Sequence, residues 1–110
     1  METYVIGTMR VCEGLKSCFR NQTRVVNVCS RAGKSRIVAP SLRQRLLDPN
    51  LSMEDLVAHT NSFPKRILDG SHSSEGWPNS MYGVAKLLEA MYTRILARDL
   101  GRTAIVSACC

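Results

Sequence analysis

Apolar positions repeat at helical spacing along some stretches of the chain and run almost uninterrupted along others. Over residues 2–20, Val5, Met9, Cys12, Leu15 and Phe19 recur at steps of four, three, three and four, which marks one face of a helix. Gly7 and Gly14 weaken that helix by about 1 kcal/mol each relative to Ala. Glycines kept in a helix permit close packing, so this one is expected to lie against a sheet. Arg24-Val-Val-Asn-Val-Cys-Ser30 shows no alternation. Near-continuous apolar runs are typical of parallel strands buried on both faces. The strand is expected to end near Ser30, because Arg31-Ala-Gly-Lys-Ser35 has the composition of a loop.

Residues 36–78 form a long connection with helices of its own. Pro40-Ser-Leu-Arg-Gln-Arg-Leu-Leu47 predicts a short helix, with Pro40 at its start. Ser52-Met-Glu-Asp55 is a helix-start signal, with Ser52 as N-cap and acids in the first turn. Met53, Leu56, Val57, Phe63, Ile67 and Leu68 continue a helical stripe that Gly70 ends, and Pro64 should kink or split it. Asn79 to Leu100 predicts the longest helix, with Met81, Val84, Leu87, Leu88, Met91, Ile95 and Leu96 on its apolar face and Gly101 as its stop. Thr103 to Cys110 reads as a second apolar strand. Two parallel strands joined through a helix make a right-handed crossover unit. Two strands alone leave edges and faces unsatisfied. The pattern is therefore that of an α/β protein, one part of an open parallel sheet, in a chain that is a fragment of a larger domain or needs a partner.

Composition narrows the function classes. The chain has 110 residues and a net charge of +6, with its Lys and Arg residues scattered rather than run together. Aromatic residues for base stacking are few, so a nucleic-acid partner is not expected, whereas an anionic ligand is compatible. Five cysteines (Cys12, Cys18, Cys29, Cys109 and Cys110) show no metal-ligand spacing, and His59 and His72 stand alone, so no metal site is expected. Cys29, Cys109 and Cys110 lie in apolar runs and read as small buried hydrophobes, which fits a reducing, cytoplasmic setting. No signal peptide is expected, and no apolar run nears the roughly 20 residues of a membrane span.

The chemistry centres on Trp77-Pro-Asn-Ser-Met-Tyr-Gly-Val-Ala-Lys86. Tyr82 and Lys86 are four residues apart, one turn above each other on a helix face. A nearby ammonium favours the phenolate and makes a Tyr a better proton donor near neutral pH. In open α/β sheets, ligands bind outside the carboxyl ends of the strands. Ser30 stands at that end of the first strand, Cys109 and Cys110 at that end of the second, and the crossover helix brings Tyr82 and Lys86 to the same edge. Ser30 could equally satisfy loop backbone, and Trp77 could equally anchor packing ahead of the helix.

Val-Val-Asn-Val-Cys-Ser30, then Glu-Gly-Trp-Pro-Asn-Ser-Met-Tyr82-Gly-Val-Ala-Lys86, then Ser-Ala-Cys-Cys110, together resemble the short-chain dehydrogenase/reductase family. Within that family the chain is similar to the monomeric NADPH-dependent carbonyl reductases. The resemblance implies a fragment of a Rossmann-type doubly wound parallel sheet. Residues 1–110 would be the C-terminal-half portion of one NAD(P)-binding domain, and about 36–78 a helical insertion over a face that other members use to oligomerise. It implies catalytic roles for Ser30, Tyr82 and Lys86. Ser30 would bind the substrate carbonyl, with Trp77 beside it. Tyr82 would donate the proton, and Tyr82 and Lys86 would contact NADPH. A small carbonyl substrate, a monomeric full-length form and the cytoplasm go with it.

The chain departs from the family in two respects. No Gly-x-x-x-Gly-x-Gly fingerprint occurs, and Tyr4 stands where spacing from Gly7-Thr8 places the family's Asn. The 110-residue chain is therefore expected to be inactive by itself. The alternative is a truncated, non-catalytic α/β module that binds another chain along its sheet edge.

Overall fold

The computed structural model describes residues 2–101 and 104–109. Two strands, β1 (Thr23–Val28) and β2 (Ala104–Cys109), pair in parallel with Val25 opposite Val106 and Val28 opposite Cys109. This is the α/β crossover expected, as a two-stranded sheet among the described residues. Cys110 and Thr103, read as part of the second strand, lie outside the described residues.

The N-terminal segment differs from the single helix expected over 2–20. It is a π-helical stretch Glu2–Gly7, a short helix α1 (Thr8–Leu15) and a 3-10 turn Lys16–Cys18. Val5 and Cys12 are buried as the periodicity requires, but Leu15 is exposed. The wider π turn changes the angular step before Thr8, so one face cannot hold through residue 19. Gly14 has open space around it, so close packing does not account for it.

The insertion contains α2 (Pro40–Leu46) and α3 (Met53–Asp69). Ser52 caps α3 through a capping box: its Oγ accepts from the Asp55 N–H at 3.0 Å, and its own N–H donates to Asp55 Oδ2 at 3.4 Å. Gly70 ends the helix with φ 79°, a conformation that favours glycine. Pro64 does not split α3. It lacks only the one N–H that would have reached the carbonyl four residues back, and Leu56, Thr60 and Phe63 are buried around it. Leu68, placed in the stripe by its spacing, is 88% exposed, while Ile67 beside it packs against the core. Phe63, His72 and Trp77 form an aromatic cluster, with the Trp77 ring centroid 5.3 Å from Phe63 and 5.6 Å from His59.

Helix α4 (Met81–Leu100) organises the rest. Ser80 caps it by accepting from the Gly83 N–H at 3.0 Å. Val84, Leu87, Leu88, Ile95 and Leu96 are almost completely buried. Each contributes on the order of 1.5–3 kcal/mol by leaving water. The polar residues Lys86, Glu89 and Thr93 on the same helix are buried too, so α4 is enclosed on nearly all sides rather than along one stripe. Asn27 ties β1 to it, donating through Nδ2 to Thr93 Oγ1 at 2.9 Å.

The strand itself corrects one expectation. β1 is not buried on both faces: Val26 and Val28 are 57% and 65% exposed, while Asn27 is buried against α4. Helices cover one face of the sheet, and the other is open.

Candidate active site

The turn after β1 meets the first two turns of α4. Ser30 begins a 3-10 turn (Arg31–Gly33), and its Oγ accepts from the Ala32 N–H at 3.2 Å. The hydroxyl thus takes the loop-satisfying role that a strand-end serine can fill. Gly33 lets this turn sit directly on the helix. A Cβ there would lie 2.6 Å from the Leu87 N and 2.7 Å from the Lys86 carbonyl carbon. Gly83 makes a similar approach, 3.1 Å from the Ala32 carbonyl oxygen to an added Cβ. Both glycines are needed for close contact, and together they place Ser30, Tyr82 and Lys86 at one corner of the molecule.

Tyr82 is 47% exposed, and its ring meets that of Tyr4 edge-on, with centroids 5.5 Å apart. Lys86 is buried beneath it. Its Nζ donates to the Val28 carbonyl oxygen at 3.2 Å and to Glu89 Oε2 at 3.1 Å, and lies 4.4 Å from the centroid of the Tyr4 ring. Glu89 is buried in turn, and its other oxygen accepts from Thr8 Oγ1 at 3.4 Å. Burial works against the Lys86 ammonium. The Glu89 hydrogen bond and charge, with smaller contributions from Tyr82 and Tyr4, outweigh it and raise the lysine above its ordinary value. An open cleft of about 490 Å³ lies between the N-terminal segment and β1, lined by Thr3, Thr8, Val26, Val28 and Glu89 among others.

The structure thus brings together Tyr82 and Lys86, with Ser30 two residues beyond the end of β1. It puts Trp77 elsewhere: the indole is buried, and its ring contacts are with His59 and Phe63 of the insertion. Cys109 pairs with Val28 at the end of β2, and Cys110 lies outside the described residues. Sequence reasoning missed Glu89. Its signal was a lone acid three residues after Lys86 in an otherwise apolar helix face. It also missed Gly33 and Gly83, whose role appears only when the turn and helix are packed. Among the described residues, no group of His, Cys, Asp and Glu could hold a metal ion.

A parallel strand pair, its crossover helix, and a Tyr and Lys one turn apart at the strands' carboxyl ends define a class. By these features the chain resembles the short-chain dehydrogenase/reductase family. Within it, the similarity is to carbonyl reductases. Over its whole length the chain is 39% identical to carbonyl reductase (NADPH) 1 of Rattus norvegicus and equally to that of Homo sapiens, covering 42% of each. It therefore spans about two fifths of the curated relatives it matches. Among solved structures, menthone neomenthol reductase from Mentha piperita superposes with a TM-score of 0.86 at 28% identity, over 99% of this chain and 39% of that one. Salutaridine reductase from Papaver somniferum superposes with a TM-score of 0.83 at 26% identity, over 97% of this chain and 38% of that one. No family model matches the chain.

Proposed function

We propose that this chain is the substrate-side segment of a carbonyl reductase and supplies the proton half of the reduction. In this reading the Tyr82 phenol gives its proton to the carbonyl oxygen of a small ketone or aldehyde, and the Ser30 hydroxyl turns from Ala32 to hold that oxygen. Lys86 is the cation that would favour the phenolate. The observation that carries the reading is the placement of Tyr82 and Lys86 on one face of α4 at the end of β1, with Lys86 Nζ on the Val28 carbonyl. Residues 36–78 are the helical insertion. The complete protein would contain a doubly wound sheet with further strands beside β1 and β2 and helices over the open face of β1, and would be monomeric and cytoplasmic. No helix among the described residues is long and apolar enough to cross a membrane.

The relatives are named as NADPH enzymes, but the residues present do not fit that cofactor. The glycine-rich fingerprint is missing from the sequence. Lys86 Nζ is engaged within the chain, donating to Val28 and Glu89 and lying over the Tyr4 ring. The hydride half of the reaction is therefore assigned to the remainder of the domain, and the 110-residue chain alone is expected to be inactive.

The test replaces the matching segment of the rat carbonyl reductase with residues 1–110 and follows NADPH consumption with an aromatic ketone. The chimera should turn over, and Tyr82→Phe should reduce turnover to background while cofactor binding persists. Equal turnover in the Tyr82→Phe chimera would sink the assignment.

A further inference from the structure

We propose that the helical insertion carries a second ligand site, a pocket in which Arg45, His59 and Arg66 receive a tetrahedral oxyanion of the phosphate class. The inference is independent of the roles given to Tyr82 and Lys86.

The pocket is an open cavity of about 540 Å³ between α2, α3 and the loop 71–77. Its lining includes Ser41 and Arg45 of α2, His59 and Arg66 of α3, and Ser73 and Glu75 of the loop. Backbone contacts set the position of the loop. The Ala39 N–H donates to the Gly76 carbonyl at 2.9 Å, and the Trp77 N–H donates to the His72 carbonyl at 2.9 Å. Gly76 has φ 92°, and a Cβ there would lie 2.7 Å from the Ala39 Cβ, so the loop closes directly on the start of α2. The walls therefore stand in place without a ligand.

The lining offers donors that the chain itself does not use. Among the described residues the Arg45 side chain has no hydrogen-bond or ion-pair partner, and neither ring nitrogen of His59 is hydrogen-bonded. Arg66 donates through Nε to Ser62 Oγ at 3.3 Å and pairs with Glu75, which leaves other N–H groups of its five. Two guanidinium charges against one carboxylate make the lining positive. His59 feels that field. Burial first, then Arg45 and Arg66, hold its imidazole below the ordinary value, against a smaller pull from Asp55. The nearby His72 is tied instead to the Arg66 carbonyl, with Nδ1 at 3.3 Å. A planar guanidinium matches two oxygens of an oxyanion at once. A bound dianion would offset the repulsion at His59 and draw a proton onto it, adding a further charged donor. The volume exceeds that of a bare oxyanion and lies in the range that holds small organic ligands. Leu42 and Trp77 add apolar lining, so a phosphate monoester fits as well as free phosphate.

The experiment is an NMR titration of the 110-residue chain that follows the His59 ring signals, assigned by their loss in His59→Gln. Sulfate is the probe, because it remains a dianion across the range used. Near neutral pH it should shift these signals saturably, and sodium chloride at equal ionic strength should not. In saturating sulfate the His59 midpoint should rise by about one pH unit, which corresponds to about tenfold tighter binding below the midpoint than above it. Arg45→Gln, at an exposed position, should weaken sulfate binding about tenfold while the spectrum stays that of the folded parent. Arg94→Gln removes the same charge from an exposed position of α4 outside the pocket lining, and should bind sulfate as the parent does. Phenyl phosphate then distinguishes the sources: tighter binding than sulfate identifies a monoester site, and binding no tighter identifies a site for the free oxyanion. A sulfate response that chloride reproduces, a His59 midpoint that stays in place, or an Arg45→Gln chain that binds no worse than Arg94→Gln overturns the proposal.

Discussion

Gly33→Ala puts the packing that builds the site to a direct test. The added methyl carbon would lie 2.6 Å from the Leu87 N, 2.7 Å from the Lys86 carbonyl carbon and 2.8 Å from the Lys86 Cβ. Carbon contacts are comfortable at about 3.5 Å or more, so relief requires the turn and the helix to part by somewhat less than 1 Å. Two of the three obstructing atoms are backbone of α4, and α4 is held by Val84, Leu87 and Leu88 in the core. The helix cannot yield by rotating a side chain, so the 3-10 turn after Ser30 must lift. Overpacking of this kind costs about 1–3 kcal/mol. With a urea dependence of about 1–3 kcal/mol per molar, a midvalue cost lowers the urea midpoint by about 1 M. Gly14→Ala is the internal control. It makes the same chemical change inside α1 in open space, and it should stabilise by up to about 1 kcal/mol through helix propensity. Urea unfolding followed by circular dichroism measures both. A Gly33→Ala chain within about 0.5 kcal/mol of the parent would refute the claim that this glycine seats the turn on the helix.

Stability should form a plateau in pH that falls at both ends. Burial first, then the charges of Arg45 and Arg66, hold His59 below its ordinary 6.5. The unfolded chain therefore binds a proton there before the folded one does, and stability is lost as pH falls below about 6.5. At the alkaline end, burial raises Cys12 above 9.0 and Tyr92 above 10.0, and Glu89 raises Lys86 above 10.5. The unfolded chain releases these protons first, so stability falls as pH rises from about 9, and Lys86 adds its loss above about 10.5. Thermal melts from pH 5 to 11 check this, and a flat profile from 9 to 11 would contradict it. Ser52→Ala removes the Oγ arm of the α3 capping box, the acceptor for the Asp55 N–H, and should cost about 1 kcal/mol, read as a lower urea midpoint.

The elements that local chemistry dictates were legible from the residues. Ser52 with acids behind it, Gly70 after the stripe, and Gly101 after the long apolar face each name a helix end, and each stands where it was placed. What failed was the angular phase of the N-terminal segment and the burial of Leu68, and of the two outcomes offered at Pro64, a kink or a split, the split does not occur. Periodicity gives a face only while the step per residue is constant, and the π turn over Glu2–Gly7 changes it. A proline removes one hydrogen bond, and packing of Leu56 and Phe63 can outweigh that loss. The expectation of a strand buried on both faces was a statement about the whole sheet. With two strands described, the face bearing Val26 and Val28 has nothing over it.

The site divides in the same way, and for a reason that follows from helix geometry. Spacing of four on one helix makes Tyr82 and Lys86 neighbours in any fold. It does not decide what Lys86 binds. Glu89, at a spacing of three, is as near as Tyr82 and carries a full charge where the phenol carries a dipole, so the ammonium takes the carboxylate. The Val28 carbonyl and the Tyr4 ring reach the lysine only through tertiary packing, across 58 positions of sequence in the first case. A motif therefore specifies which groups can meet, and the remaining donors and acceptors at the corner decide which of them do. In this chain the balance lies with Glu89 and Tyr4.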